Sequence, residues 1–178
     1  MNRCRSLVLP VLGAFVALLV TSTVAMAQQD HADAMATPAG ATIVAAISIV
    51  HTAHLNFGQI VASPTDPGTV AQTAAASPVR TATGCTLGNT TGMSPATFTV
   101  GGEPNATYAI TLPDDATVTL TGAGDPMAIT DFVSSPSGTG TLSGGGLQTL
   151  YVGGTLHVGA AQVAGVYSGT FDVTVTYN

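Results

Sequence analysis

Residues 165–178 read GVYSGTFDVTVTYN and alternate from Tyr167 to the end. Tyr167, Phe171, Val173, Val175 and Tyr177 share one parity with Gly169, while Ser168, Thr170, Asp172, Thr174, Thr176 and Asn178 take the other. A strict period of two with one apolar side is the pattern of a half-buried β-strand, and it is incompatible with a helix, whose apolar stripe recurs every three to four residues. The same pattern recurs upstream. Ile43, Ala45, Ile47 and Ile49 share a parity, as do Ala96, Phe98 and Val100, then Tyr108, Ile110 and Leu112, and then Val118 and Leu120. Leu150, Val152, Leu156 and Val158 form a further set, broken by Gly153-Gly154, where a bulge or bend is expected. Gly, Pro and Asp clusters punctuate these runs, as at Ser63–Gly68, Gly101-Gly102, Pro113-Asp114-Asp115 and Gly122–Gly124.

No convincing helical periodicity follows residue 40. Roughly eight to ten short strands spaced by turn signals predict an all-β fold, an antiparallel β-sandwich. Ser134–Gly146 reads as a Gly- and Ser-rich connection, and Arg80–Leu87 as one strand. No fixed-period repeat suggests a solenoid or propeller.

The first residues are of another kind. Arg3 and Arg5 precede an almost continuous apolar run from Leu7 to Val20, and Ala25-Met26-Ala27 follows. This is the order of a secretory signal peptide, expected over residues 1–27 with cleavage after Ala27; the alternative, an uncleaved anchor, fits less well with Pro10 and the small-x-small site. Residues 28–40 have no period and read as a flexible leader, so a single domain is expected over residues 41–178. Localisation follows as exported: periplasm, cell surface or extracellular medium. No later segment approaches the ~20 apolar residues of a membrane-spanning helix, so no membrane partner is expected after cleavage.

Beyond residue 27 the chain holds one basic residue, Arg80, no lysine, and all 9 of the acids. Such a surface has almost nothing with which to neutralise phosphate, which excludes nucleic acid as a partner. Charged residues are only 7% of the sequence, so Thr, Ser, Asn and Gln must keep the outward strand faces wet. Threonine suits a pleated surface, and an apolar content of 46% argues against disorder. Cys85 is the single cysteine after cleavage, so no internal disulfide can form; it reads as a small buried hydrophobe, the alternative being an intermolecular bridge.

A catalytic site needs a nucleophile, a base beside it and a group to orient the base. The histidines do not supply one. His31 lies in the leader, and His157 falls on the outward parity of Tyr151 and Thr155. His51 and His54, three residues apart, point to opposite faces of an extended strand and would share a metal only if the chain bent between them. His31 falls one position out of register for an amino-terminal copper site. Asp114-Asp115 sits in a turn, no calcium-loop spacing is present, and Gly144–Gly146 lacks the Lys-Ser/Thr of a phosphate cradle. Asn89-Thr90-Thr91 and Asn105-Ala106-Thr107 match the glycosylation sequon, which matters only in a glycosylating host. A non-enzymatic protein without cofactor or metal is expected.

Five motifs stand out: Leu55-x-Phe57-Gly58, Ala96-x-Phe98-x-Val100-x-Gly102, Tyr108-x-Ile110-x-Leu112-Pro113, Leu150-x-Val152-Gly153-Gly154-x-Leu156 and the closing run from Gly165 to Tyr177. Together they resemble a secreted bacterial domain-of-unknown-function family with an immunoglobulin-like sandwich, similar in pattern to fimbrial subunits. That run also resembles the C-terminal motif of chaperone–usher pilins, with Gly165 fourteenth from the end and an aromatic, Tyr177, next to last. The resemblance implies a fimbrial or surface-assembly subunit joined by β-strand addition. Gly165, Tyr167, Gly169, Phe171, Val173, Val175 and Tyr177 would form the strand bordering the groove. A periplasmic chaperone, then the chain itself or related subunits, would be the partners. Ile43, Ala45, Ile47 and Ile49 would belong either to a donor strand, each inserted aliphatic contributing ~1.5–3 kcal/mol, or to the domain's own first strand. In the second case the chain is a self-contained periplasmic or surface sandwich that binds a ligand or protein partner through its turns.

Overall fold

The computed structural model describes residues 36–115 and 117–178. The signal peptide expected over residues 1–27 lies outside them, as do residues 28–35 of the leader. The described residues are all-β, with antiparallel pairing throughout, as the alternation requires. Twelve strands form: β1 Ser48–Ala53, β2 Ile60–Val61, β3 Gly68–Gln72, β4 Arg80–Thr83, β5 Thr86–Leu87, β6 Ala96–Gly101, β7 Thr107–Thr111, β8 Val118–Leu120, β9 Met127–Ser135, β10 Thr139–Thr141, β11 Leu147–Val158 and β12 Thr174–Tyr177. The expected eight to ten are exceeded because short elements carry little periodicity. β10 lies inside the Gly/Ser-rich connection, and Arg80–Leu87 splits into β4 and β5 at Gly84, whose φ of 72° takes the chain through the left-handed region.

Seven strands form the large sheet, built around the twelve-residue β11. Along one edge of β11, residues 147–152 pair with β6, and β1 pairs outside β6; residues 154–158 pair with β3, and β4 pairs outside β3. The other edge of β11 carries β9, then β8. The expected irregularity at Gly153-Gly154 is where β11 passes from β6 to β3, and its register against β9 slips there. A Cβ on Gly153 would lie 2.2 Å from the Gln72 carbonyl oxygen, so only glycine lets the strands approach this closely. A three-stranded sheet, β10-β7-β12, and the β2–β5 pair complete the fold, which is a β-sandwich.

The inward parities assemble two apolar clusters. One gathers Ala96, Val100, Tyr108, Leu142, Leu150, Val152 and Val175. The other gathers Phe57, Val70, Val118, Met127, Ile129, Leu156 and Val158. Leu55, Phe132 and Phe171 pack against both, and the Phe132 and Phe171 rings meet at 5.1 Å. Cys85 is half-buried against the second cluster, and desolvation raises its pKa.

Arg80 is buried, with its guanidinium among backbone carbonyls rather than beside an acid. Nη1 donates to the Phe57 and Gln59 oxygens, and Nη2 to those of Gly88 and Asn89. The arginine therefore ties the β2 and β5 loops together, and charge-assisted hydrogen bonds offset the cost of burying its charge.

Candidate functional site

The C-terminal run keeps its parity but not its expected length as a strand. Tyr167, Phe171, Val173 and Tyr177 are half-buried and Val175 is buried, while every residue of the other parity is exposed. Only Thr174–Tyr177 pairs continuously, against β7 from Thr111 back to Tyr108. The ladder stops there because β7 ends at Thr111 and Pro113, two residues on, has no N–H to donate. Upstream, Ser168 makes a single bridge to Thr121, and residues 169–173 carry apolar side chains inward without strand pairing.

The amino-terminal alternation is shortened in the same way. β1 begins at Ser48, opposite Gly101, because Gly101-Gly102 ends its partner β6. Residues 41–47 are not strand, and Ile43 is 97% exposed. Ala45 is pinned by polar contacts: its carbonyl accepts from the Tyr177 hydroxyl (2.8 Å), and its N–H donates to the Glu103 carboxylate (3.1 Å). Ile47 and Ile49 pack on the Leu150 cluster.

These two shortened segments flank a groove of about 410 Å³. Ile49, Leu55, Ala96 and Phe98 line it together with Gly169–Val173, and His51, His54 and Asp172 add polar groups. β1 spends one edge on β6, and β12 spends one on β7; their other edges have no strand partner among the described residues. The groove thus combines apolar side chains with polar ones and runs beside unpaired backbone on two sides.

Of the residues singled out in the sequence, Ile49, Gly169, Phe171 and Val173 come together here. Val175 and Tyr177 continue the same border in β12. Gly165 and Tyr167 lie elsewhere, beside Ala123 and Gly122–Gly124. Tyr167 Oη donates to the Val163 carbonyl (2.7 Å) and accepts from Gln162 Nε2 (2.9 Å), so this ring is a loop anchor. Tyr177 anchors similarly, since its hydroxyl also accepts from the Glu103 N–H at 2.6 Å. Gly169 is required by close approach, because a Cβ there would lie 2.3 Å from the Thr119 carbonyl oxygen.

The histidine pair meets the condition its spacing set, a bend of the chain between the two residues. Opposite Phe98, His51 occupies an inward position of β1, and the register then shifts between His51 and Ala53. That extra residue turns His54 to the same side, with ring centroids 4.6 Å apart. His51 also meets Phe98 edge-on at 5.4 Å. No spacing rule signals such a bulge.

The remaining polar network among the described residues centres on His157. His157 is exposed as expected, with Nε2 2.8 Å from Thr130 Oγ1, and that hydroxyl donates to Asp131 Oδ2 (2.9 Å). The carboxylate therefore binds the hydroxyl rather than the far nitrogen of the imidazole, so it cannot orient the ring as a base. Asp131 holds a φ of 48°, with its N–H donating to Asp115 Oδ1. Among the described residues no three His, Cys, Asp or Glu side chains gather as a metal site, and no helix is long and apolar enough to cross a membrane.

No curated protein and no solved structure matches the chain. A family match covers residues 47–177, which span β1 to the end of β12 and include both sides of the groove. The chain belongs to the family described as "Domain of unknown function (DUF4402)".

Proposed function

We propose that this is a non-enzymatic exported structural protein, a fimbrial or surface-assembly subunit joined to its neighbours by β-strand addition. The observation that carries the reading is an open groove and an unpaired aliphatic segment in one molecule. The groove between β1 and residues 169–173 offers apolar side chains beside unpaired backbone, while Ile43 and Val44 stand in solvent on a segment outside the ladder. Residues 42–47 of another copy, or of a related subunit, supply the strand once the Ala45 hydrogen bonds and the Ile47 packing within their own domain are released, and a periplasmic chaperone holds the groove before assembly. Ala45, pinned beside Tyr177, keeps the segment's own chain out of its own groove.

The test is Ile43→Asp. Its side chain is free, so the monomer's unfolding midpoint should not move, whereas a charge on the donor face should abolish the heat-labile, SDS-resistant ladder of the wild-type protein. A wild-type protein that is purely monomeric, or an Ile43→Asp ladder equal to wild type, defeats the reading.

A second reading rests on the closure of the core. Val70, Val100, Leu150 and Val152 are fully buried without any added strand. A self-contained periplasmic or surface sandwich that binds a ligand or protein partner through its turns is consistent with that, and a stable, reversibly unfolding monomer would favour it.

A further inference from the structure

We propose that His51 and His54 form a two-imidazole site for a borderline divalent transition ion, Zn²⁺ or Cu²⁺, at the groove between β1 and residues 169–173. The bulge at Thr52 brings together two rings that a regular strand would point apart. Two imidazoles sharing one ion with metal–nitrogen bonds of about 2.0–2.1 Å, at an angle of about 90–110°, have centroids about 4.5–5.2 Å apart. The observed separation of 4.6 Å falls within that span.

Both rings are exposed, and neither is held by a hydrogen bond among the described residues, in contrast to His157, which engages Thr130. The position is also costly to explain by packing alone. His51 takes an inward place in β1, two residues after Ile49, where the strand otherwise shows the core an aliphatic. Open solvent in the groove tolerates it there, and leaves its nitrogens available to a ligand. Imidazole favours zinc and copper over calcium and magnesium. With two protein ligands the ion keeps further positions open to water or to a residue of whatever enters the groove. The site needs no occupant, so it stands or falls separately from assembly by strand addition.

The experiment is a titration of purified, metal-free protein carrying His31→Ala, which removes the leader histidine as a competing ligand. Zn²⁺ and Cu²⁺ are followed by calorimetry and by the histidine ring-proton resonances. Saturation at one ion per chain is expected, with the His51 and His54 resonances shifted. It should be lost in His51→Ala and in His54→Ala and kept in His157→Ala, while Mg²⁺ and Ca²⁺ stay silent. Absence of saturation with both ions, or wild-type affinity in either single variant, overturns the proposal. The variants are exposed positions, and the stability of each is checked by its thermal midpoint.

Discussion

Two regions of the inner face obey the same alternation and end differently. Around Leu150, the strands β6 and β11 are covered by β7, β10 and β12, and Leu150, Val100, Val152 and Tyr108 lose all contact with solvent. Around Ile49, the same large sheet meets a chain that runs inward-facing but unpaired, and a groove remains. Parity therefore decides which way a side chain points, while backbone partners decide whether it is sealed. The first is written in the local sequence. The second depends on where the neighbouring strand stops, here at Pro113 beyond β7 and at Gly101-Gly102 in β6.

The largest expected effect tests that contrast directly. Leu150→Ala opens a cavity in the sealed region and should cost about 3–4 kcal/mol. Ile49→Ala removes as many methyl and methylene groups but at the rim of the groove, and should cost about 1 kcal/mol. Urea unfolding of both variants measures the difference. Equal losses would mean that the groove is closed in solution and that the two regions are alike.

Gly169 is next in size, because it sets how near the unpaired border runs to β8. Gly169→Ala drives a Cβ against the Thr119 carbonyl oxygen, with Leu120 Cδ2 at 3.1 Å behind it, so the border must move. A loss of about 1–3 kcal/mol is expected. Gly144→Ala, where the nearest neighbour is 4.0 Å away, should be silent in the same thermal-unfolding series. If Gly169→Ala is equally silent, residues 169–173 are free to shift, and their border with β1 is not a fixed one.

Much of the sandwich was legible because its signal is local. Tyr108, Val118, Leu150, Val152, Leu156 and Val175 each declare themselves by alternation, and all are buried. Gly153-Gly154 marked the bend in β11 because paired glycines inside a strand pattern have few other uses. Strand lengths were not legible. The runs beginning at Ile43 and Gly165 look like complete strands, yet their pairing is limited by Gly102 and Pro113, which are remote in sequence. The bulge between His51 and His54 was hidden for the same reason: a single extra residue set by the β6 register reverses the face of everything after it.

The sealed and half-sealed regions also differ in what they withhold from water, and alkaline pH should reveal it as the smallest of these effects. Burial raises the pKa of Tyr108 in the Leu150 cluster, and likewise that of Cys85 at the edge of the other. Unfolded, the thiol and phenol release protons near their ordinary values of 9.0 and 10.0, while the folded chain still holds both. The unfolded state then binds fewer protons, so stability falls with rising pH. The contribution is complete below about pH 9 and is lost progressively as pH climbs through the raised folded values. Thermal midpoints between pH 8 and pH 11 should decline along that course. Cys85→Ala should remove the earlier part of the decline and Tyr108→Phe the later part, although Tyr108→Phe starts from a lower midpoint because the Tyr108 hydroxyl also donates to Gln148 Oε1 (2.8 Å). A slope unchanged by Tyr108→Phe would mean that water reaches the phenol, and that the region taken as sealed opens as readily as the groove beside it.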